Sequence, residues 1–232
     1  MKEIKVELQE WMGSDKSIAD AAWTSSLDFQ KKQERTDEDV RRVVNMLAEF
    51  KHSVPFESVV LRFWIKLPIS ADRQHMTHRI ASHSGMSGRY RTMPDEWQSV
   101  PKDVESILCR VNEDMFPYLE AINEYNHICN KANNWYRSIV EEYKNLEKKK
   151  SITNKEFKRL REFFRGVLPQ NNMTERVTVM NLRSFCNYQK LRNSEHAQPE
   201  IRYMAQLMLE VLENKNVCPI ALEALKKNNW EI

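Results

Sequence analysis

The sequence predicts an α+β fold, with a small, mostly antiparallel sheet and several long helices in a single domain over residues 1–232. Three observations predict it. Val59, Leu61, Phe63, Ile65 and Leu67 alternate with Arg62, Trp64 and Lys66, which is the period of a strand with one buried face. Most other apolar residues recur at helical spacing. Glycine occurs only at positions 13, 85, 88 and 166. That excludes the glycine-rich turns of dinucleotide-binding and phosphate-loop folds.

Taken in order, Ile4, Val6 and Leu8 alternate with Lys5 and Glu7 as a short strand. Asp15 to Trp23 predicts a short helix. Thr36 and Asp39 have the spacing of a capping box, and Val40, Val43, Val44, Leu47 and Phe50 follow on one helical face. Pro55 breaks the chain, because the residue before proline disfavours helix. The main strand then runs to Pro68. Residues 70–80 can be helical, while Ser82 to Arg89, with two glycines and three serines, reads as a loop. Lys102 to about Lys150 is helical: Val104, Ile107, Leu108, Val111 and Met115 mark one helix, and Leu119, Ile122, Tyr125 and Ile128 continue beyond Pro117. Glu147 to Ser151 is a charged helix end. Asn154 to Phe164 is a helix stopped at Gly166 and Pro169. Arg176 to Met180 is a short strand, Leu182 to Leu191 a helix. Pro199 opens a helix with Ile201, Met204, Met208, Val211 and Leu212 on one face. Ile220 to Lys227 is the last.

Composition narrows the function. With 36 basic and 33 acidic residues the net charge is +3, too balanced for a nucleic-acid binder. Any functional positive charge is therefore local. Cys109, Cys129, Cys186 and Cys218 form no C-x-x-C pair, which suits free thiols in the cytoplasm. No apolar run approaches the ~20 residues of a membrane span, and the first residues do not resemble a signal peptide. Neither a membrane nor a nucleic acid is expected as a partner.

Two clusters carry candidate chemistry. The first runs from Arg73 to Arg89 and holds three arginines and three histidines. Gly88, between Ser87 and Arg89, lets backbone approach an anion, and the hydroxyl, amides and guanidinium suit a phosphate monoester. The plain alternative is a solvated basic face. His75, His78 and His83 lack a carboxylate or thiolate to complete a zinc set, so no metal is expected. The serines lack a nucleophile-elbow setting. The second cluster runs from Asn181 to Arg202. Arg183 and Asn187 share a helix face, and Arg192 lies near that helix's end. Alone, it reads better as an exposed polar helix with a capped end.

Together the clusters resemble the flavin-dependent thymidylate synthase family. Its signature is an Arg-His-Arg triplet followed by Ser-x-Arg; here stand Thr77-His78-Arg79 and Ser87-Gly88-Arg89. Asn181-Leu182-Arg183, Leu191-Arg192, His196-Ala197-Gln198 and Glu200-Ile201 are similar to the family's ending. So are Ala21-Ala22 with Ser25, His52 with Pro55-Phe56-Glu57, and Arg165 before Leu168-Pro169. The resemblance implies a homotetramer that binds FAD. It implies conversion of dUMP, a pyrimidine deoxynucleotide, to dTMP, with methylenetetrahydrofolate and NADPH as co-substrates and no cysteine nucleophile. It implies that Arg192 contacts the uracil and is catalytic. Gln74, Thr77, Gly85, Met86, Ser87, Gly88, Arg89 and Arg165 would bind the nucleotide with it. Ser25, Val54, His78, Arg79, Asn181, Arg183, Asn187 and His196 would belong to the FAD site, and His52 would lie near flavin and folate.

Three positions depart from that pattern. Thr77 replaces the triplet's first arginine, Ser84-Gly85 replaces an Asn-Glu pair, and Val54 stands where threonine is usual. A cation and a carboxylate are lost together, which is compensating, since an unpaired buried charge is costly. Three readings follow: an ordinary thymidylate synthase, a relative that modifies C5 of another pyrimidine nucleotide or leaves a hydroxymethyl group, and a non-catalytic FAD- or nucleotide-binding paralogue.

Overall fold

In a computed structural model, which describes residues 3–111 and 116–230, four strands form one sheet in the order β1-β2-β4-β3. They are β1 (Lys5–Met12), β2 (Val60–Pro68), β3 (Ser82–Gly85) and β4 (Met173–Asn181). The alternation of the main strand holds: Val59, Leu61, Phe63, Ile65 and Leu67 are all fully buried. β1 and β2 pair antiparallel, with a register shift between Leu8 and Glu10. Beyond that shift Glu10 stands opposite Arg62, and the two side chains pair at 2.8 Å.

The helices are α1 (Asp15–Trp23), α2 (Phe29–Gln33), α3 (Asp37–Glu49), α4 (Ile69–His75), α5 (Lys102–Val111), α6 (Phe116–Lys148), α7 (Asn154–Phe164), α8 (Leu182–Arg192), α9 (Pro199–Asn214) and α10 (Pro219–Lys227). The contacts gather them into two compact units. One comprises Leu67–Asp72 and Gly85–Thr174; the other comprises Ile4–Lys66, Arg73–Ser84 and 175–230.

In the second of these, α9 packs on β1, and α3 packs on α1 and α10. Thr36 caps α3 with the reciprocal bonds of a capping box to Asp39. α10 has no side-chain cap of its own, because Cys218 at its N-cap position makes none. Asp15 supplies one from a distance: its carboxylate accepts the Ala221 amide at 2.8 Å and the Ile220 amide at 3.3 Å. Burial raises the Asp15 carboxyl above its ordinary range, and these two amides counter it. The other unit is built on the pairing of α6 with α7. Its core is Met93, Tyr136, Val140 and Phe157. Buried Asn133 and Asn172 exchange amide bonds at 3.1 and 2.7 Å, so neither carboxamide is orphaned.

Several expectations are corrected. Ser82 to Gly85 is a strand, not a loop. It is short and polar, as suits a sheet edge, and ladder pairing outweighs its weak propensity. The helix over 70–80 stops at His75, because the Thr77 amide and hydroxyl both turn back to the Gln74 carbonyl. The strand at 176–180 is longer, Met173–Asn181. Phe50 is 64% exposed rather than packed, since it follows the last turn of α3. The Met115 end of the helix after Lys102 lies outside the described residues.

Candidate active site

The Asn181–Arg192 and Arg73–Ser84 segments meet within one unit, and α8 is what brings them together. Asn181 caps α8: its side-chain oxygen accepts the Ser184 amide at 2.8 Å. This fixes Ser184 in the first turn, where its hydroxyl donates to the Ile80 carbonyl. A hydroxyl has one proton, so toward His78 the Ser184 oxygen is the acceptor. His78 Nε2 therefore carries the hydrogen of that 2.7 Å bond.

A second chain of bonds fixes the neighbouring imidazoles. His83 Nε2 lies 3.4 Å from the His78 carbonyl, which can only accept. His83 Nδ1 lies 3.2 Å from the Thr178 hydroxyl oxygen. That hydroxyl also meets His75 Nε2 at 2.7 Å, and His75 Nδ1 lies 2.9 Å from the Tyr188 hydroxyl. Both His75 nitrogens are thereby used by hydroxyls, which leaves none for a metal. Burial, reinforced by the charges of His83 and Arg176, pushes His75 down to about 3. His78 is also lowered, mainly by burial.

His75 makes the fold acid-sensitive. An unfolded chain protonates this imidazole near 6.5, whereas the folded one resists until about 3. Between those values the unfolded state binds more protons, so stability falls as pH falls. The His75 contribution is fully present above 6.5, and its slope below approaches ~1.4 kcal/mol per pH unit. Urea unfolding midpoints at pH 7, 6 and 5 should drop accordingly, and His75→Gln should flatten that part of the profile.

Arg192, at the last position of α8, reaches α4. Its Nη2 donates to the Thr77 hydroxyl oxygen at 2.7 Å and to the Gln74 carbonyl at 3.2 Å. Thr77 gives its own proton to that carbonyl at 2.7 Å. The guanidinium is thus held by a hydroxyl and a backbone oxygen, and among the described residues no carboxylate neutralises it. Its Nε is buried without a hydrogen-bond partner. The Gln74 side chain bonds Gln198. Ser25, His52, Val54, Arg79, Asn187 and His196 are exposed in the same unit, and Arg183 pairs with Glu57.

The other unit contains the glycine turn. Tyr90 and Arg91 amides return to the Ser87 carbonyl at 3.1 and 3.2 Å. Arg165 lies over Gly88 so closely that a Cβ there would stand 2.8 Å from its Cδ. A side chain at position 88 would have to displace the end of the Arg165 side chain. Met86 packs on the local core and Gly85 ends β3. Arg89 reaches Glu162 at 3.7 Å. Sequence reasoning missed Arg161, which holds the Arg89 carbonyl. The missed signal was its place one helical turn before Arg165. It also missed Thr178, Ser184 and Tyr188, which hold the histidines.

Clustered guanidinium and imidazole groups, with hydroxyls to orient them and no glycine-rich loop, define a protein that handles anionic ligands through side chains. The family model described as thymidylate synthase complementing protein matches residues 7–220. The flavin-dependent thymidylate synthase of Kosmotoga olearia is 33% identical over 225 residues, spanning 94% of this chain and 88% of its own. That of Thermotoga neapolitana is 32% identical over 222 residues, spanning 96% and 90%. The chain belongs to the flavin-dependent thymidylate synthase family, a family of FAD-dependent methyltransferases. Among solved structures, the UMP/dUMP methylase PolB from Streptomyces cacaoi bound with 5-Br dUMP shares the fold. Its TM-score is 0.72 at 20% identity, over 99% of this chain and 97% of that one.

Proposed function

We propose that this chain converts dUMP to dTMP, with methylenetetrahydrofolate as carbon donor and NADPH as the source of reducing equivalents, as a homotetramer in the cytoplasm. The observation that carries the reading is Arg192, a guanidinium oriented by Thr77 and Gln74, without a carboxylate partner and with a buried, unpartnered Nε. Such a group stabilises negative charge developing on a bound pyrimidine. Bound FAD would supply hydride chemistry. The guanidinia of Arg79 and Arg183 and the His196 ring suit its two phosphates, His78 presents a fixed tautomer, and Asn181 caps α8, which carries Arg183. Ser87, Gly88, Arg89 and Arg165 suit the monoester of the nucleotide, and the neutral Gln74, Thr77 and Met86 its remainder. His52 is assigned to the flavin and folate side.

Three of the four thiols are buried, which fits a route without cysteine, while Cys109 is exposed. Burial pushes both Cys186 and Cys218 up to about 12, so neither is a thiolate at neutral pH. Cys129 is buried as well.

A second reading has a specific observation behind it. Where the family pattern has a cation, Thr77 offers Arg192 a neutral oxygen, and Gly85 removes a carboxylate. Both changes alter the polarity around the nucleotide, so another pyrimidine nucleotide or a hydroxymethyl product is the alternative. Mass spectrometry of reactions containing FAD, NADPH and methylenetetrahydrofolate with dUMP, UMP or dCMP separates the readings. We expect a flavin absorption band in the purified protein and a +14 Da product from dUMP. A +30 Da product, or turnover of UMP or dCMP alone, would establish the alternative. Flavin binding without NADPH oxidation for any nucleotide would mark a non-catalytic paralogue.

A further inference from the structure

Arg161 is a buried cation that lacks a counter-charge. It lies on α7, 8% exposed, stacked 5.3 Å from the Phe157 ring centroid. Its Nη2 donates to the Arg89 carbonyl, and its Nε is buried without a hydrogen-bond partner. Among the described residues it makes no ion pair. The adjacent Glu162 reaches Arg89 and Arg159 instead, at 3.7 and 3.6 Å. One turn on, Arg165 lies over Gly88. Burial raises the Tyr136 phenol, while Arg161 and Arg165 pull it down, so both cations act on the same small region.

An uncompensated guanidinium at this depth is expensive. Among the described residues its charge meets only a backbone carbonyl and a ring face, an arrangement that an anion would relieve. The Arg89 carbonyl that it holds ends the Ser87-Gly88-Arg89 turn, so its bond ties the end of that turn to α7. A phosphate monoester matches both features, because it accepts from amides and neutralises clustered arginines.

We infer that Arg161 is a positioning residue for the nucleotide phosphate: it locks the Ser87-Gly88-Arg89 turn through the Arg89 carbonyl and adds an uncompensated positive charge behind it. This rests on the nucleotide reading above and adds to it a residue whose effect falls on the phosphate rather than on the base or the flavin.

Calorimetry on the FAD-loaded protein with dUMP and with inorganic phosphate, together with steady-state kinetics, tests it. Arg161→Met should weaken dUMP binding at least tenfold and abolish competition by inorganic phosphate. It should raise KM for dUMP while leaving kcat within threefold and KM for NADPH within twofold. Arg161→Lys keeps the charge but loses the planar fork, and should fall between the two. If the Met variant does not fold, the Lys variant carries the same comparison. Wild-type affinity for dUMP within twofold in the variants would overturn the inference. So would a loss shared equally by dUMP, NADPH and FAD, since that is general disruption. A wild-type protein that holds FAD but binds no dUMP would overturn the nucleotide reading itself, and this inference with it.

Discussion

Arg192→Ala is expected to retain FAD and lose turnover by about 10²–10³-fold, the range for removing one preorganised donor from a site where charge develops. The expectation follows from how the guanidinium is held. Thr77 has one hydroxyl proton and spends it on the Gln74 carbonyl, so its oxygen is a pure acceptor for Arg192 Nη2. The Gln74 carbonyl takes the same nitrogen. Two neutral oxygens orient the group without neutralising it, so its positive charge stays available to a ligand. A carboxylate in their place would quench it. Arg192→Lys should recover little, because an ammonium cannot reproduce a planar fork held at one edge. Absorbance of bound flavin, measured beside single-turnover product formation, separates the two effects. An alanine variant with full kcat would remove Arg192 from the chemistry. One that loses flavin as well would make the residue structural.

The Thr77 contact explains why a chain that departs from its family's triplet can still present the arginine. Threonine sets a hydroxyl oxygen that accepts against Arg192 Nη2, where the family pattern has a cation.

How far the molecule could be read from its sequence depended on the range of the interactions involved. β2 was legible because its alternation is local, and Leu61, Phe63, Ile65 and Leu67 on its one face are all buried. The α3 cap was legible because Thr36 and Asp39 are three residues apart. β3 was not, because Ser82 to Gly85 has loop composition and becomes a strand only through pairing in the sheet. The candidate arginines and histidines could be named from the sequence, but not what holds them. Tyr188 and Thr178 lie 113 and 103 residues from His75 in sequence, and nothing local to either links them. Arg161 was legible in principle, one turn before Arg165. Its helix is amphipathic and rich in charge, so a buried arginine looked like any surface arginine. Burial of a charge is a tertiary property that spacing alone does not report.

His75→Ala should cost about 3–4 kcal/mol of stability at pH 7, the largest loss expected from one side chain of the imidazole network. Two losses add. Removing a fully buried ring leaves a cavity among residues that cannot fully collapse into it. It also strips a partner from two buried hydroxyls, Tyr188 and Thr178, each bonded to His75 at under 3 Å. His75→Gln should lose less, because a carboxamide can both donate and accept. Tyr188→Phe removes one bond and little volume, so about 1–2 kcal/mol is expected. The Ala and Phe variants should couple: once the ring is gone, deleting the phenol hydroxyl no longer removes a bond to His75, and the second change should then cost less than it does alone. Urea denaturation of both single variants and the double variant at pH 7 reads each value. Additive losses would mean that His75 and Tyr188 do not depend on each other. Since Thr178 also bonds His83, and His83 contacts the His78 backbone, the same variants should loosen His78. Flavin affinity, measured on the folded fraction, should therefore fall for His75→Ala more than for Tyr188→Phe.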